Sequence, residues 1–171
     1  MSIYIKESDL KGQTKTAKDI FTKSDIQSYL DKFEVIYLQD LLGCELYNDF
    51  ATDFSILGNV PTDPKFISIW NMFCKDDSCH IHRSEGMKEM LSLFVYFEYV
   101  RDQPVKNNIG GPQINDQANS NGALTTQTNI ITNYNTGIDT YNSIQWYICS
   151  NPDNYDYNNY NGQSKGLIGY I

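Results

Sequence analysis

The chain has 171 residues, is 40% apolar and carries a formal charge of -8, which supports one globular domain with its own core and leaves no room for a second. The acidic balance, with no cluster of Lys and Arg, excludes a protein that wraps nucleic acid by neutralising its phosphates. No run approaches the roughly 18 to 20 apolar residues of a membrane span. The start Met1-Ser2-Ile3-Tyr4-Ile5-Lys6 also lacks a signal peptide's apolar stretch, so the chain is expected to act inside the cell that makes it, with Cys44, Cys74, Cys79 and Cys149 as free thiols.

Residues 1–22 are lysine-rich and read as an N-terminal arm, with Ile3 and Ile5 able to add a strand or an extended segment. Ser24 with Gln27 makes a capping box, and Ile26, Leu30, Phe33, Tyr37 and Leu41 then step along one helical face until Gly43, giving a first helix over 24–42. Leu46, Phe50 and Phe54 define a second helix over 44–55. Asp63-Pro64 caps a third over 63–73, with Phe66, Ile67, Ile69, Trp70 and Phe73 as its apolar residues.

The turn signal Lys75-Asp76-Asp77-Ser78 between Met72-Phe73-Cys74 and Cys79-His80-Ile81-His82 predicts a short β-hairpin. A fourth helix over 85–103 has almost no polar face, which marks it as central. Pro104 and Gly110-Gly111-Pro112 punctuate a loop longer than a plain connection needs. A fifth helix over 117–149 is held by the stripe Leu124, Ile131, Tyr134, Ile138, Tyr141, Ile144 and Ile148.

From Asn107 onward the only basic residue is Lys165 and the only acids are Asp116, Asp139, Asp153 and Asp156, among many Asn, Thr, Tyr and Gly. Surfaces that face water carry mixed charge, so this neutral stretch reads as an assembly surface. Residues 151–171 are expected to be an extended tail that a partner orders. The fold class is therefore mainly α: a bundle of about five helices over 23–150 with a short β-hairpin, a long projecting loop and an extended C-terminal tail.

Chemistry-bearing constellations are sparse. Cys74, Cys79, His80 and His82 fall within nine positions and could hold zinc, but neighbouring side chains on a strand alternate faces, so His80 points away from Cys79. No metal or cofactor site is assigned. Cys44 and Cys149 lie in apolar helical patterns and read as small buried hydrophobes. Glu34, Asp40, Glu45, Asp49 and Asp53 read as a solvated face rather than acid–base pairs. No phosphate loop, nucleophile elbow, H-E-x-x-H or calcium loop occurs.

The stretch Tyr37-Leu38-Gln39-Asp40-Leu41-Leu42-Gly43-Cys44-Glu45-Leu46-Tyr47 resembles the helix-turn-helix of head-tail connector, or adaptor, proteins of tailed bacteriophages, where a helix ends in Leu-Gly and the next begins with Leu-Tyr. Glu85-Gly86-Met87-Lys88-Glu89-Met90-Leu91 through Tyr96-Phe97-Glu98-Tyr99-Val100 is similar to that family's central helix. Asn107-Asn108-Ile109-Gly110-Gly111 resembles its inter-helix loop, and Ile148-Cys149-Ser150-Asn151-Pro152-Asp153-Asn154-Tyr155 its closing helix end. The similarity spans about 25 to 155 and lies in order and spacing, and the variant resembles connectors of phages of the Bacteroides group, crAss-like ones included.

The resemblance implies a non-enzymatic virion protein, made in the host cytoplasm, that forms a homo-oligomeric ring in the phage neck, commonly of twelve copies. Such a ring binds the portal, adjoins other neck or tail proteins, and continues a channel through which DNA passes without specific binding. The subunit or portal interface is then expected at Asn108, Ile109, Gly110, Gly111, Pro112, Tyr155, Tyr157 and Tyr160. The rivals are a cytosolic helical interaction module and a zinc- or thiol-dependent protein built on the hairpin.

Overall fold

The computed structural model describes residues 4–10, 14, 20–57, 60–78, 80–102, 105–108, 111–114, 120–155 and 160–167. The protein is mainly helical. A short 3-10 turn, Glu7–Asp9, precedes α1 (Ile20–Leu57) and α2 (Pro64–Trp70). An antiparallel hairpin, β1 (Phe73–Asp77) and β2 (His80–Ser84), leads into α3 (Met87–Asp102). A second hairpin, β3 (Val105–Asn108) and β4 (Gly111–Ile114), is followed by α4 (Ser120–Ser150) and the single turn α5 (Pro152–Tyr155).

α1 contains both helices expected from the periodicity, and they part where the sequence placed the break. Gly43 has φ 72° and ψ 170°, a conformation open in practice only to glycine. A Cβ there would run into the side chain of Asn161. The first half begins at Ile20, so Ser24 lies inside the helix and does not cap it; Ile20-Phe21-Thr22-Lys23 contains no breaker to stop the helix from extending back.

α2 is capped as the sequence indicated, with the Asp63 carboxylate accepting from the Lys65 N–H at 2.9 Å and Pro64 at the first helical position. The helix stops at Trp70, because Phe73 already pairs in β1. The hairpin is longer than its turn signal suggested: Lys75, Asp76 and Asp77 pair with His82, Ile81 and His80, and the chain reverses at Ser78, φ 42°.

α3 is the hub. Met87, Met90, Leu91, Phe94 and Val95 join Leu38, Leu42, Phe50, Phe54, Ile138, Tyr141 and Ile144 in one core. α4 crosses α3 at Gly137, where a Cβ would stand 2.8 Å from the Phe94 ring, so the small residue sets the helix spacing. The long connection before α4 is no open loop but holds β3 and β4, with Val105 opposite Ile114 and Asn107 opposite Pro112. Proline is tolerated because a two-stranded ribbon has only edge strands.

Tyr4, Ile5 and Leu10 of the N-terminal arm are buried in the core rather than part of a free extension. Tyr4 stacks on Phe50 at 5.4 Å and meets Phe54 edge-on at 4.9 Å. The backbone N–H groups of Tyr4 and Ile5 both donate to Glu34 Oε2 at 3.3 Å. Glu34 is thus buried, at 1% exposure, and not on a solvated face. Its carboxylate takes up backbone donors that would otherwise be stranded beneath Tyr4.

Substituting Gly43→Ala should test the break directly. Forcing a side chain into this backbone geometry is expected to cost about 1–3 kcal/mol, seen as a lower urea midpoint at unchanged slope.

Candidate functional site

The break at Gly43 frees carbonyls that a continuous helix would bond internally. Residues 160–167 supply the missing donors. The Gln163 N–H donates to the Asp40 carbonyl at 2.6 Å, and the Tyr160 hydroxyl to the Leu41 carbonyl at 2.7 Å. Tyr141, by its hydroxyl, and Gln145 Nε2, at 2.8 Å, in turn donate to the Gln163 carbonyl. Lys165 closes the strap: Nζ lies 2.8 Å from Asp40 Oδ2, with the Tyr37 and Tyr141 rings 4.9 and 5.9 Å away. Burial pushes the hydroxyls of Tyr141 and Tyr160 well above the usual tyrosine range, so both remain donors.

This arrangement locates the expected interface residues. Tyr160 is partly buried against its own chain, and Tyr155 is buried with its hydroxyl donating to the Lys65 carbonyl at 2.6 Å. Tyr155 is therefore part of the core. Asn108, Gly111 and Pro112 sit on the second hairpin, where Asn108 pairs with Gly111. Ile109, Gly110 and Tyr157 lie outside the described residues.

The Cys/His hairpin leans on α4 through the His82 imidazole, stacked on Trp146 at 3.8 Å and 6°, and through Phe73, whose ring lies 4.9 Å from that of Tyr147. His80 and His82 share a strand face with ring centroids 5.1 Å apart. Cys74 is exposed on the opposite strand, Cys79 lies outside the described residues, and no group of three ligands is placed for a metal among those described. Cys44 and Cys149 are exposed, contrary to their apolar surroundings in sequence. Cys44 directly follows the Gly43 break, which resets the helical phase, and Cys149 lies beyond the buried Ile148 on the outer side of α4.

Other carboxylates have structural partners. Asp53 binds the α1–α2 connection, accepting from the Thr62 N–H at 2.7 Å, the Asp63 N–H at 3.0 Å and the Thr62 hydroxyl. Although burial works against its charge, these bonds hold the Asp53 carboxyl below the ordinary range. Two adjoining clefts share Glu85 and Thr136. One, of about 560 Å³, is lined by the hairpin residues His80 to Arg83 and by Asp139; the other, of about 750 Å³, by Trp70, Met72, Lys88, Glu89 and Leu93.

No family model, curated protein or solved structure matches the chain. The geometry stands by itself.

Sequence gave little warning of the strap, since the Tyr- and Asn-rich end has no period. Its one signal is Lys165, a single cation in a neutral stretch.

Two outcomes are expected. Tyr160→Phe leaves the Leu41 carbonyl short of a donor and should lower stability by about 1–2 kcal/mol, with faster hydrogen exchange of the 160–167 amides. Prolonged treatment with a strong chelator should leave the melting temperature unchanged, and elemental analysis should find no stoichiometric zinc; a shift on chelation would mean that the hairpin folds around metal.

Proposed function

We propose that this protein is a non-enzymatic subunit of a homo-oligomeric ring in the neck of a tailed phage, joining the portal to the tail and continuing the DNA channel. The observation that carries the reading is the order and spacing of the resembling segments over about 25 to 155: a helix pair parted at Leu-Gly, a central helix after a hairpin, an inter-helix loop and a closing helix end. The α1 break at Gly43, the β1–β2 hairpin and the α3 hub fall in that same order, which supports it.

Physical considerations agree. A ring subunit needs a rigid body and separate elements that meet unlike surfaces on its two neighbours. The helical core is the rigid body, and the β3–β4 hairpin is a separate two-stranded element between α3 and α4. We assign that hairpin, with Asn108, Gly111 and Pro112 at its end and the intervening Ile109 and Gly110, to the contact with a neighbouring subunit or the portal. Net negative charge suits a conduit, because an acidic wall does not hold DNA that moves along it.

Native mass spectrometry of the protein with the portal of the same phage should give a ring on the portal, with twelve copies the expected number. Deleting residues 108–112 should preserve helical circular dichroism and abolish ring formation. Persistent ring assembly by the deletion variant would return this hairpin to the status of a connection.

A further inference from the structure

Two Asn-Gly steps occur in the chain, Asn121-Gly122 and Asn161-Gly162. Glycine has no side chain to shield its nitrogen, so at such a step that nitrogen can reach and attack the preceding carboxamide. Asn161-Gly162 lies in the middle of the strap. Its anchors are the adjacent residues: Tyr160 donates to the Leu41 carbonyl, and the Gln163 N–H donates to the Asp40 carbonyl. A Cβ on Gly162 would overlap the Leu41 carbonyl oxygen and the Tyr160 hydroxyl, so this position must be glycine for the strap to seat. Asn161 is exposed to water on one side, while its carboxamide carbon stands 3.0 Å from where a Cβ on Gly43 would be.

The close approach that demands glycine at 162 therefore creates the reactive step, and the same contacts restrain it. Ring closure requires the Gly162 nitrogen to swing onto Asn161 Cγ. Both residues are held against α1 while the strap is seated, so the reaction waits for the strap to lift.

We propose that Asn161 is a site of spontaneous conversion to isoaspartate, gated by the strap, and that the conversion unseats the strap irreversibly. The Gly162 nitrogen bonds to Asn161 Cγ, the Cγ–Nδ2 bond breaks, and ammonia leaves with the proton of the Gly162 N–H. Water then opens the succinimide at either carbonyl, giving aspartate, or isoaspartate with the main chain routed through Cγ. Isoaspartate adds one carbon to the main chain between anchors that must meet the carbonyls of two consecutive residues, Asp40 and Leu41. It also replaces a neutral amide with a carboxylate, on a strap whose one cation, Lys165, is already paired with Asp40. Both changes draw the donors away from the break at Gly43.

The test ages full-length protein in mildly alkaline buffer and follows both Asn-Gly steps by peptide mapping, with isoaspartate told from aspartate by electron-transfer fragmentation. Tyr160→Phe removes one anchor and Lys165→Gln another, and neither touches the reacting atoms. Chemistry that waits for opening follows the population of the open strap. Conversion at Asn161 is expected to run about tenfold faster in Tyr160→Phe and about threefold faster in Lys165→Gln than in the unaltered chain. Asn121 lies about 30 Å along α4 from Tyr141, which meets the strap, and its rate should stay the same in all three proteins. Converted molecules, separated by ion exchange, should exchange the amides of 162–167 about tenfold faster than unconverted ones. No conversion at Asn161 in either variant, equal rates in all three proteins, parallel acceleration at Asn121, or an isoaspartate form with undiminished protection would overturn the proposal.

Discussion

A helix whose polar side is as narrow as that of α3 has to be covered everywhere else, and α3 imposes that demand on the rest of the fold, leaving Lys88, Glu89, Arg101 and Asp102 to water. Seven of its apolar side chains are buried, from Met87 to Tyr99, together with Ser92 and Glu98. α1 covers one side, α4 another, and α2 with the β1–β2 hairpin closes the end near Met87. The aromatic residues do much of the filling: Phe94 stacks on Tyr37 at 4.4 Å and meets Tyr134 and Tyr141 on its other sides. Large rings at a shared centre make helix spacing sensitive to single atoms, which is why Gly137 rather than alanine faces Phe94.

Two carboxylates inside this apolar packing act as structural anchors. Glu34 holds the backbone of Tyr4 and Ile5, so the N-terminal residues become a lid over Phe50 and Phe54. Glu98 accepts from the Tyr37 hydroxyl at 2.7 Å and faces the Arg101 guanidinium with its other oxygen. Burial, reinforced by the bond to Glu98, pushes the Tyr37 hydroxyl far above its usual range. A buried carboxylate without partners would be costly, and here each oxygen described has a donor or a cation. Removing one partner is therefore more damaging than replacing the whole group with an apolar one.

Periodicity carried the helical part of the architecture because it is local. Leu46, Phe50 and Phe54, or Ile138, Tyr141, Ile144 and Ile148, are buried as their spacing implied, and the Asp63 cap on α2 is a bond between residues two apart. Features that depend on partners far along the chain were illegible. Glu34 looks like any helical surface acid until Tyr4 arrives from thirty residues away. The β3–β4 hairpin had a signal in Gly110-Gly111, but Asn107, Asn108 and Pro112 are poor strand formers, and cross-strand pairing overrode their propensity. The strap's residues carry no period at all; only the carbonyls exposed at Gly43 give its Tyr160 and Gln163 a place.

The strap also sets an order of events during folding. Tyr160 and Leu41 are separated by 119 residues, and closing so long a loop costs about 4 kcal/mol in chain entropy. Helices α1 to α3 are rich in nearby contacts and can collapse while the chain is still emerging, but the Asp40 and Leu41 carbonyls must wait in water until residues 160–165 leave the ribosome. A chain cut short before this point would keep a hydrated notch in the middle of its longest helical element. Filling the notch thus follows the synthesis of α4, and a molecule whose notch is filled is one in which α1 to α4 have already been made.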